Sequence, residues 1–376
     1  MRKGRHGREC CCAGLDGRLE MGYDNSMSAA RTTLREVAQK AQVHYATAST
    51  VLNGSKGSTR VSEETCRRVF QSAEELGYTV NRAAQQLKTQ RSRVVGLLTG
   101  DLENPFFARM VSLCSEALEQ NGYDVVLATR RRDAGSDLHL LESLVSRDLA
   151  GVLIWSETLT EVRSQIARRG IANVVVMGMS IPGYDSVAGT LEPGVEAALA
   201  HLRAEGHSRI GYFAPENLMH RTGDPRGRIY RETMAAWGCP ARLYSYSGTA
   251  SDVAAARTAA DKFAEEWARL PDGERPDALF CFNDMNAFGA MTALRRRGLT
   301  VPDDVALASC DDLPLARHLD VPLTTIRYPL EALCETAVRL LVTRITDGYA
   351  GQPSAPYSAE LFPTELVVRE SSLRGK

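Results

Sequence analysis

At the ends of a recurring set of apolar runs, polar and aromatic side chains stand where a small molecule could be held. Asp101, Asn104, Phe106 and Phe107 follow the run VVGLLTG (94–100), and Trp155 closes GVLIWS (151–156). Asn283 and Asp284 close ALFCFND (278–284), and Asp311 and Asp312 close VALASCD (305–311). Carboxylates and amides take paired contacts to hydroxyls, and aromatic faces pack on a C–H surface, so this set suits a polyhydroxylated ligand. Taken singly, each residue fits a helix cap or a core aromatic equally well. Their shared position at strand ends is what points to a site.

Other chemistry finds no foothold. No GxGxxG follows a strand, and neither GxxxxGK[ST] nor GxSxG occurs, so nucleotide and nucleophile-elbow sites are not expected. His201, His207 and His220 lack the spacing of a two-histidine zinc helix, and Cys10, Cys11 and Cys12 beside His6 lack a zinc-ligand pattern. No enzyme activity, metal or cofactor is expected.

A second stretch raises a different chemistry. NRAAQQLKTQRS (81–92) is rich in helix formers, yet its single large apolar side chain is Leu87. A helix this short is marginal without an apolar face to bury, so it is either a tether or it folds against something outside the chain.

Positioning these residues takes two kinds of architecture. From Thr33 to Tyr78 the periodicity is helical: TLREVAQKA places Leu34, Val37, Ala38 and Ala41 on one face, with Thr33 and Glu36 forming a capping box. HYATASTVLN begins a second short helix ended at Asn53-Gly54, and Ser62 caps a third with Cys66, Val69, Phe70, Ala73 and Leu76 as its apolar residues. Two short helices joined by a tight turn and packed by a third describe a helix-turn-helix headpiece. After Arg93, β-rich runs at 94–100, 124–130, 151–156 and 173–179, then 209–215, 242–247, 278–284 and 305–311, alternate with amphipathic helices. That alternation predicts βαβ units in parallel, doubly wound sheets, four strands in each of two lobes, with ligands outside the carboxyl ends of the strands.

Composition sets the surroundings. With 44% hydrophobic and 24% charged residues the chain has a globular profile, and it contains no apolar run of membrane-spanning length. Residues 1–93 carry 16 Lys and Arg against 9 Asp and Glu, the remainder 29 against 37, so a basic module precedes an acidic body and a polyanion partner is expected for the former. Nine cysteines without a CxxC pair, and a basic N-terminus lacking a long apolar core, predict a reducing cytoplasmic setting. Residues 1–31 are expected to be a disordered extension, with Met21 and Met27 as alternative starts.

The segments TTLREVAQKAQVHYATASTVLN, VSEETCRRVFQSAEELGYTVNRAAQQLKTQRS, NDMNAFGAMTALRRRGLTVPDDVALASCDD, PLTTIRYP and FPTELVVRESS, in this order, resemble the LacI/GalR family of transcription regulators from about Thr32 to Ser372. The resemblance implies a helix-turn-helix headpiece (32–79), a hinge helix or linker (80–93), and a two-lobe, periplasmic-binding-protein-like domain (94–372) for effector binding and dimerisation. It implies a homodimer on a pseudo-palindromic operator, a sugar or sugar derivative as effector, and action as a repressor. Tyr45 and Ala46 fall on the base-reading positions. Thr33, Thr47, Ser49, Thr50, Asn53, Lys56 and Arg60 in the headpiece, and Asn81, Arg82, Ala84 and Lys88 in the hinge, complete the implied DNA contacts. Leu87 matches the leucine that wedges into a central minor-groove step, so its apolar partner would be the operator.

In the two-lobe domain Arg226 matches an arginine gripping ligand hydroxyls, Tyr246 lies near an aromatic stacking position, and Asn283 and Asp311 match further ligand contacts. Several residues depart from the pattern. Gln42 stands where glycine is usual and is expected at positive φ. Thr50 replaces a guanine-reading arginine. Ile229 replaces a glycine, Gly178 a common carboxylate and Thr190-Leu191 a frequent Asp-Asn, which makes one wall less polar. No leucine heptads follow Val367, so a coiled-coil tetramer is not expected. The rival reading, a sugar-binding protein with a degenerate headpiece, shares the two-lobe fold, but the hinge is intact and no secretory signal is recognised.

Overall fold

The computed structural model describes residues 32–52, 61–78, 91–129, 149–155, 173–219, 224–248, 250, 252–351 and 355–374. The chain divides into two units, Met1–Lys88 and Thr89–Lys376.

The first unit holds α1 (Leu34–Lys40), α2 (Tyr45–Leu52) and α3 (Glu63–Glu75). The capping box at Thr33 forms: Glu36 N–H donates to the Thr33 hydroxyl at 3.4 Å, and Thr33 N–H donates to the Glu36 carboxylate at 2.6 Å. Val37, Ala38, Ala41, Ala48, Val51, Val69 and Ala73 close a small core. Phe70, assigned by periodicity to the apolar side of α3, is instead 55% exposed; Val69 fills the position facing α1 and α2. Gln42, in the turn between α1 and α2, has φ +54, as its place in a glycine position predicts.

The second unit consists of two six-stranded sheets. The first lobe is built on β1 (Val94–Thr99), β2 (Asp124–Thr129), β3 (Gly151–Trp155), β4 (Val174–Met177), β5 (Asp185–Thr190) and, from the far end of the chain, β11 (Ala359–Pro363). The second uses β6 (Ile210–Pro215), β7 (Arg242–Tyr246), β8 (Ala278–Cys281), β9 (Ala306–Asp311), β10 (Thr324–Arg327) and β12 (Glu365–Val367). Their orders are β11-β5-β4-β3-β1-β2 and β12-β10-β9-β8-β6-β7, parallel except for β12 on β10.

Successive side chains of a strand face opposite layers. In β3, Leu153 and Trp155 join the layer under α4 (Pro105–Gln120) and α9 (Leu330–Ala350), while Val152 and Ile154 face the other side. In β8, Phe280 packs with α5 (Leu191–Ala204) and α6 (Pro225–Ala236), and Leu279 with α7 (Val253–Arg269) and α8 (Asp284–Arg296).

The expected four strands per lobe become six because β5, β10, β11 and β12 lack Val/Ile-rich runs. These elements lie where the chain passes between lobes: β5 into α5, β10 into α9, and β11 into β12. Polar side chains sit inside them, each with distant partners. Asp185 of β5 takes the Arg344 guanidinium at 2.5 and 3.0 Å and Ser358 N–H at 2.8 Å. At the crossings, the Thr364 hydroxyl donates to Thr190 O at 2.8 Å, and Gly189 N–H donates to the Tyr328 hydroxyl at 2.7 Å.

Candidate functional site

Two sets of residues stand out, one in each unit. In the first, α2 buries Ala48 and Val51, which leaves Tyr45, Ala46, Ser49 and Thr50 on the opposite side, with Tyr45 48% exposed. Thr47 is half-buried, and the Thr50 hydroxyl is turned back onto Ala46 O at 2.9 Å. His44, which the sequence reading passed over, accepts the Ala46 N–H through Nδ1 at 3.3 Å and so caps the first turn of α2. Thr33 is committed to its capping box. Asn53, Lys56, Arg60, Asn81, Arg82, Ala84, Leu87 and Lys88 lie outside the described residues, as do residues 1–31 and most of the linker 80–93.

In the second unit a cavity of about 550 Å³ draws walls from both lobes. Of the nine candidates for effector contact, it brings together Asn104, Phe106, Phe107, Trp155, Arg226, Asn283 and Asp311. Asp101 and Tyr246 are not part of its lining. Asp101 lies in the turn before α4, where its carboxylate accepts the Glu103 N–H at 3.0 Å. Tyr246 ends the edge strand β7 and turns under α7 against Phe213, 5.5 Å between centroids, so it is core rather than wall. The carboxyl ends of β1, β3, β4 and β5 in the first lobe and of β8 and β9 in the second open onto the cavity, with Tyr328 just past β10.

The first-lobe wall is aromatic. Phe106 meets Phe107, Trp155 and Tyr328 edge-to-face at 5.4, 5.3 and 5.6 Å. Asn104 caps α4, accepting the Phe106 N–H at 3.0 Å. Gly178, at φ +89, closes β4 on the same wall, and a Cβ built there would stand 3.0 Å from the Trp155 indole.

The second-lobe wall is charged but internally paired. Asp224, the N-cap of α6, holds Arg226 through Nε at 3.0 Å and Nη2 at 2.5 Å, while Nη1 donates to Phe282 O at 2.8 Å. The guanidinium also lies 3.5 Å from the Phe282 ring centroid. Burial pulls the Arg226 pKa down, and the Asp224 carboxylate more than offsets it, so the group stays charged. Asp224 was missed in the sequence, although Asp-Pro before a helix is a cap signature. Tyr328 and Phe282, also missed, carry no local signal of their place in the wall. Asn283 caps α8, accepting the Asn286 N–H at 3.0 Å and donating to Ala250 O at 3.1 Å.

Beside this wall the backbone turns left-handed at Asp311 (φ +127) and Asp312 (φ +52). Burial raises the Asp312 pKa, but Arg369 and Arg327, at 2.5 and 2.8 Å, outweigh it and hold the carboxyl below its usual range. The fully buried Asp284 braces both sides of Asp311, accepting from the Ser309 hydroxyl at 2.5 Å, the Thr325 hydroxyl at 2.6 Å and Leu313 N–H at 2.7 Å. Burial nonetheless pushes its pKa up to about 6. An acid raised in this way stabilises the fold most below its unfolded pKa, and the contribution is lost as pH rises through about 6. The melting-temperature difference between wild type and Asp284→Asn should therefore move in favour of wild type between about pH 8 and about pH 5. A pH-independent difference would mean that the carboxyl titrates as an ordinary one.

Residues 33–81 match the bacterial regulatory proteins of the lacI family, and residues 199–372 the periplasmic binding protein-like domain. The HTH-type transcriptional regulator reg1 of Streptomyces lividans is 33% identical over 91% of this chain and 96% of its own. The chain belongs to the LacI family. Among solved structures, the lac repressor dimer bound to operator and the anti-inducer ONPF superposes with a TM-score of 0.74 at 24% identity, over 91% of this chain and 99% of that one. A CelR–cellobiose complex does so at 0.60 and 28% identity, over 91% and 100%. As a LacI-family protein the chain is a transcription regulator and not an enzyme. Its fold is the expected one: an α-helical headpiece followed by two parallel α/β lobes of the periplasmic-binding-protein type. Among the described residues no helix is long and apolar enough to cross a membrane.

Proposed function

We propose that this regulator binds a pseudo-palindromic operator as a cytoplasmic homodimer, reading bases through α2, and that a carbohydrate or sugar derivative in the cavity controls that binding, most simply as the inducer of a repressor. The observation that carries the reading is the cavity of about 550 Å³ walled by both lobes beside the chain crossings. A ligand touching both walls changes the free energy of lobe closure, and by linkage operator and ligand change each other's affinity by the same factor. The cellobiose and sucrose complexes of related regulators support the ligand class.

A homodimer also accounts for an apolar groove of about 870 Å³ between α8 and residues 313–321, lined by Met285, Phe288, Met291, Leu315 and Leu319, which a second copy would cover. Asp284 binds the Leu313 amide in that groove and the strand that carries Asp311 into the cavity, a physical link between ligand and interface.

Fluorescence-anisotropy titration of the full chain against the gene's own upstream DNA and a scrambled duplex, across a salt series, tests the reading. A preference of about 10³-fold with a steep salt slope is expected. Equal, weak binding to both would refute specific recognition at that DNA.

A further inference from the structure

The C-terminal end of α9 holds the stretch of chain that arrives from the headpiece. Leu333, Ala337, Leu341 and Ile345, each one turn from the next, are buried in the first-lobe core, and Arg344 fastens the same helix to Asp185 of β5. The last carbonyls of a helix have no partner within it. Arg91 takes one of them, Nη2 donating to Tyr349 O at 3.3 Å, and its guanidinium lies over the Tyr349 ring, 5.0 Å from the centroid. A cation suits the negative end of the helix dipole, and a planar guanidinium can stack on a ring while it donates. The Tyr349 ring packs on the first-lobe core, and its hydroxyl donates to Ser92 O at 3.0 Å. Ser92 is itself buried, with its hydroxyl accepting the Val94 N–H at 3.3 Å as β1 begins. One tyrosine thus binds two consecutive residues just ahead of the lobe's first strand.

We propose that Tyr349 is a positioning residue for operator binding: it clasps Arg91 and Ser92 and so fixes on the first lobe the point from which Leu87 reaches the DNA. Arg91 stands four positions after Leu87. Without the clasp the chain is held only from β1 at Val94, seven positions after Leu87, so the tether nearly doubles. Each doubling of a flexible tether costs roughly threefold in closure, hence roughly tenfold for the two protomers of a dimer. A longer tether also lets each hinge reach more positions along the duplex, so the clasp sets the half-site spacing that the dimer accepts. This rests on the reading of the protein as an operator-binding dimer whose hinge carries Leu87 to the DNA.

The test uses the full chain and an operator selected from random duplexes, titrated by fluorescence anisotropy beside versions with one base pair inserted or removed between the half-sites. Wild type should lose about tenfold or more on either change, because half-site spacing mirrors the geometry of the dimer. Tyr349→Ala should bind the selected operator roughly tenfold more weakly and narrow the spacing discrimination to about threefold or less. Its salt slope should stay that of wild type, since no phosphate contact is removed. A variant that is merely destabilised loses affinity for every spacing alike. Tyr349→Phe keeps the ring in the core and under Arg91 and removes only the bond to Ser92 O. It should lose about threefold and narrow the discrimination in the same direction, which decides the matter even where Tyr349→Ala fails to fold. Unchanged spacing discrimination in both variants, whatever their affinity, would overturn the proposal and leave the operator reading standing. If no duplex is selected, the operator reading falls and the proposal with it.

Discussion

Leu87→Ala lowers operator affinity by roughly 10²- to 10³-fold and leaves effector binding unchanged. The expectation comes from the stretch 81–92, where Leu87 is the single large apolar side chain and a helix has nothing of its own to pack on. In the resemblance to the LacI/GalR family this leucine enters the minor groove beside its dimer mate. Unstacking a base step costs a few kcal/mol, offset by the buried wedge and wider contact with the kinked duplex. Burying a leucine side chain is worth about 1.5–3 kcal/mol, and a dimer contributes two, so truncation of both removes the larger part of the compensation. Anisotropy with the operator, alongside calorimetry with effector, measures both quantities on one preparation. Unchanged operator affinity would mean that the segment is only a tether.

Arg226→Ala abolishes the response of operator binding to effector while the affinity of the free protein for operator stays within about threefold. Each guanidinium nitrogen of Arg226 donates to Asp224 or to Phe282 O, which holds the cavity's charged wall in shape. Side chains of Arg226 and Asp224 are 12% and 15% exposed, and removing one partner of so buried a pair costs on the order of 3–5 kcal/mol at full burial, less here for residual solvent. A lower melting temperature is thus expected along with lost response. Arg226→Lys separates the two effects: the charge beside Asp224 remains, while the fork that spans Asp224 and Phe282 does not. The lysine variant should recover most of the melting temperature and little of the effector affinity. A full response in Arg226→Ala would show that ligand is held elsewhere.

The apolar periodicities of residues 33–78 determined the three headpiece helices, because apolar residues recur within a turn or two along each of them, whereas the packing of α3 on α1 and α2 decided that Val69 and not Phe70 is buried. For the same reason the Val/Ile-rich runs and the helices between them were legible as two doubly wound lobes, and the positive φ at Gln42 as an occupant of a glycine position. The crossing strands were not. Asp185 and Thr324 lie outside the apolar runs read as strands, yet they are buried in β5 and β10, satisfied respectively by Arg344 and Ser358 and by residues 369–372. No local pattern announces a partner that far along the chain. The site divides in the same way. That Asn104, Trp155, Asn283 and Asp311 end strands was visible in the sequence. That they share one cavity was decided by strand order, while Tyr246 falls outside it because it packs into the core under α7, and Asp101, on the same turn as Asn104, has its carboxylate folded back onto the Glu103 N–H. Asp224 pairs with Arg226, and Asp284 braces Asp311, only because packing removes these groups from water and leaves each a single set of partners.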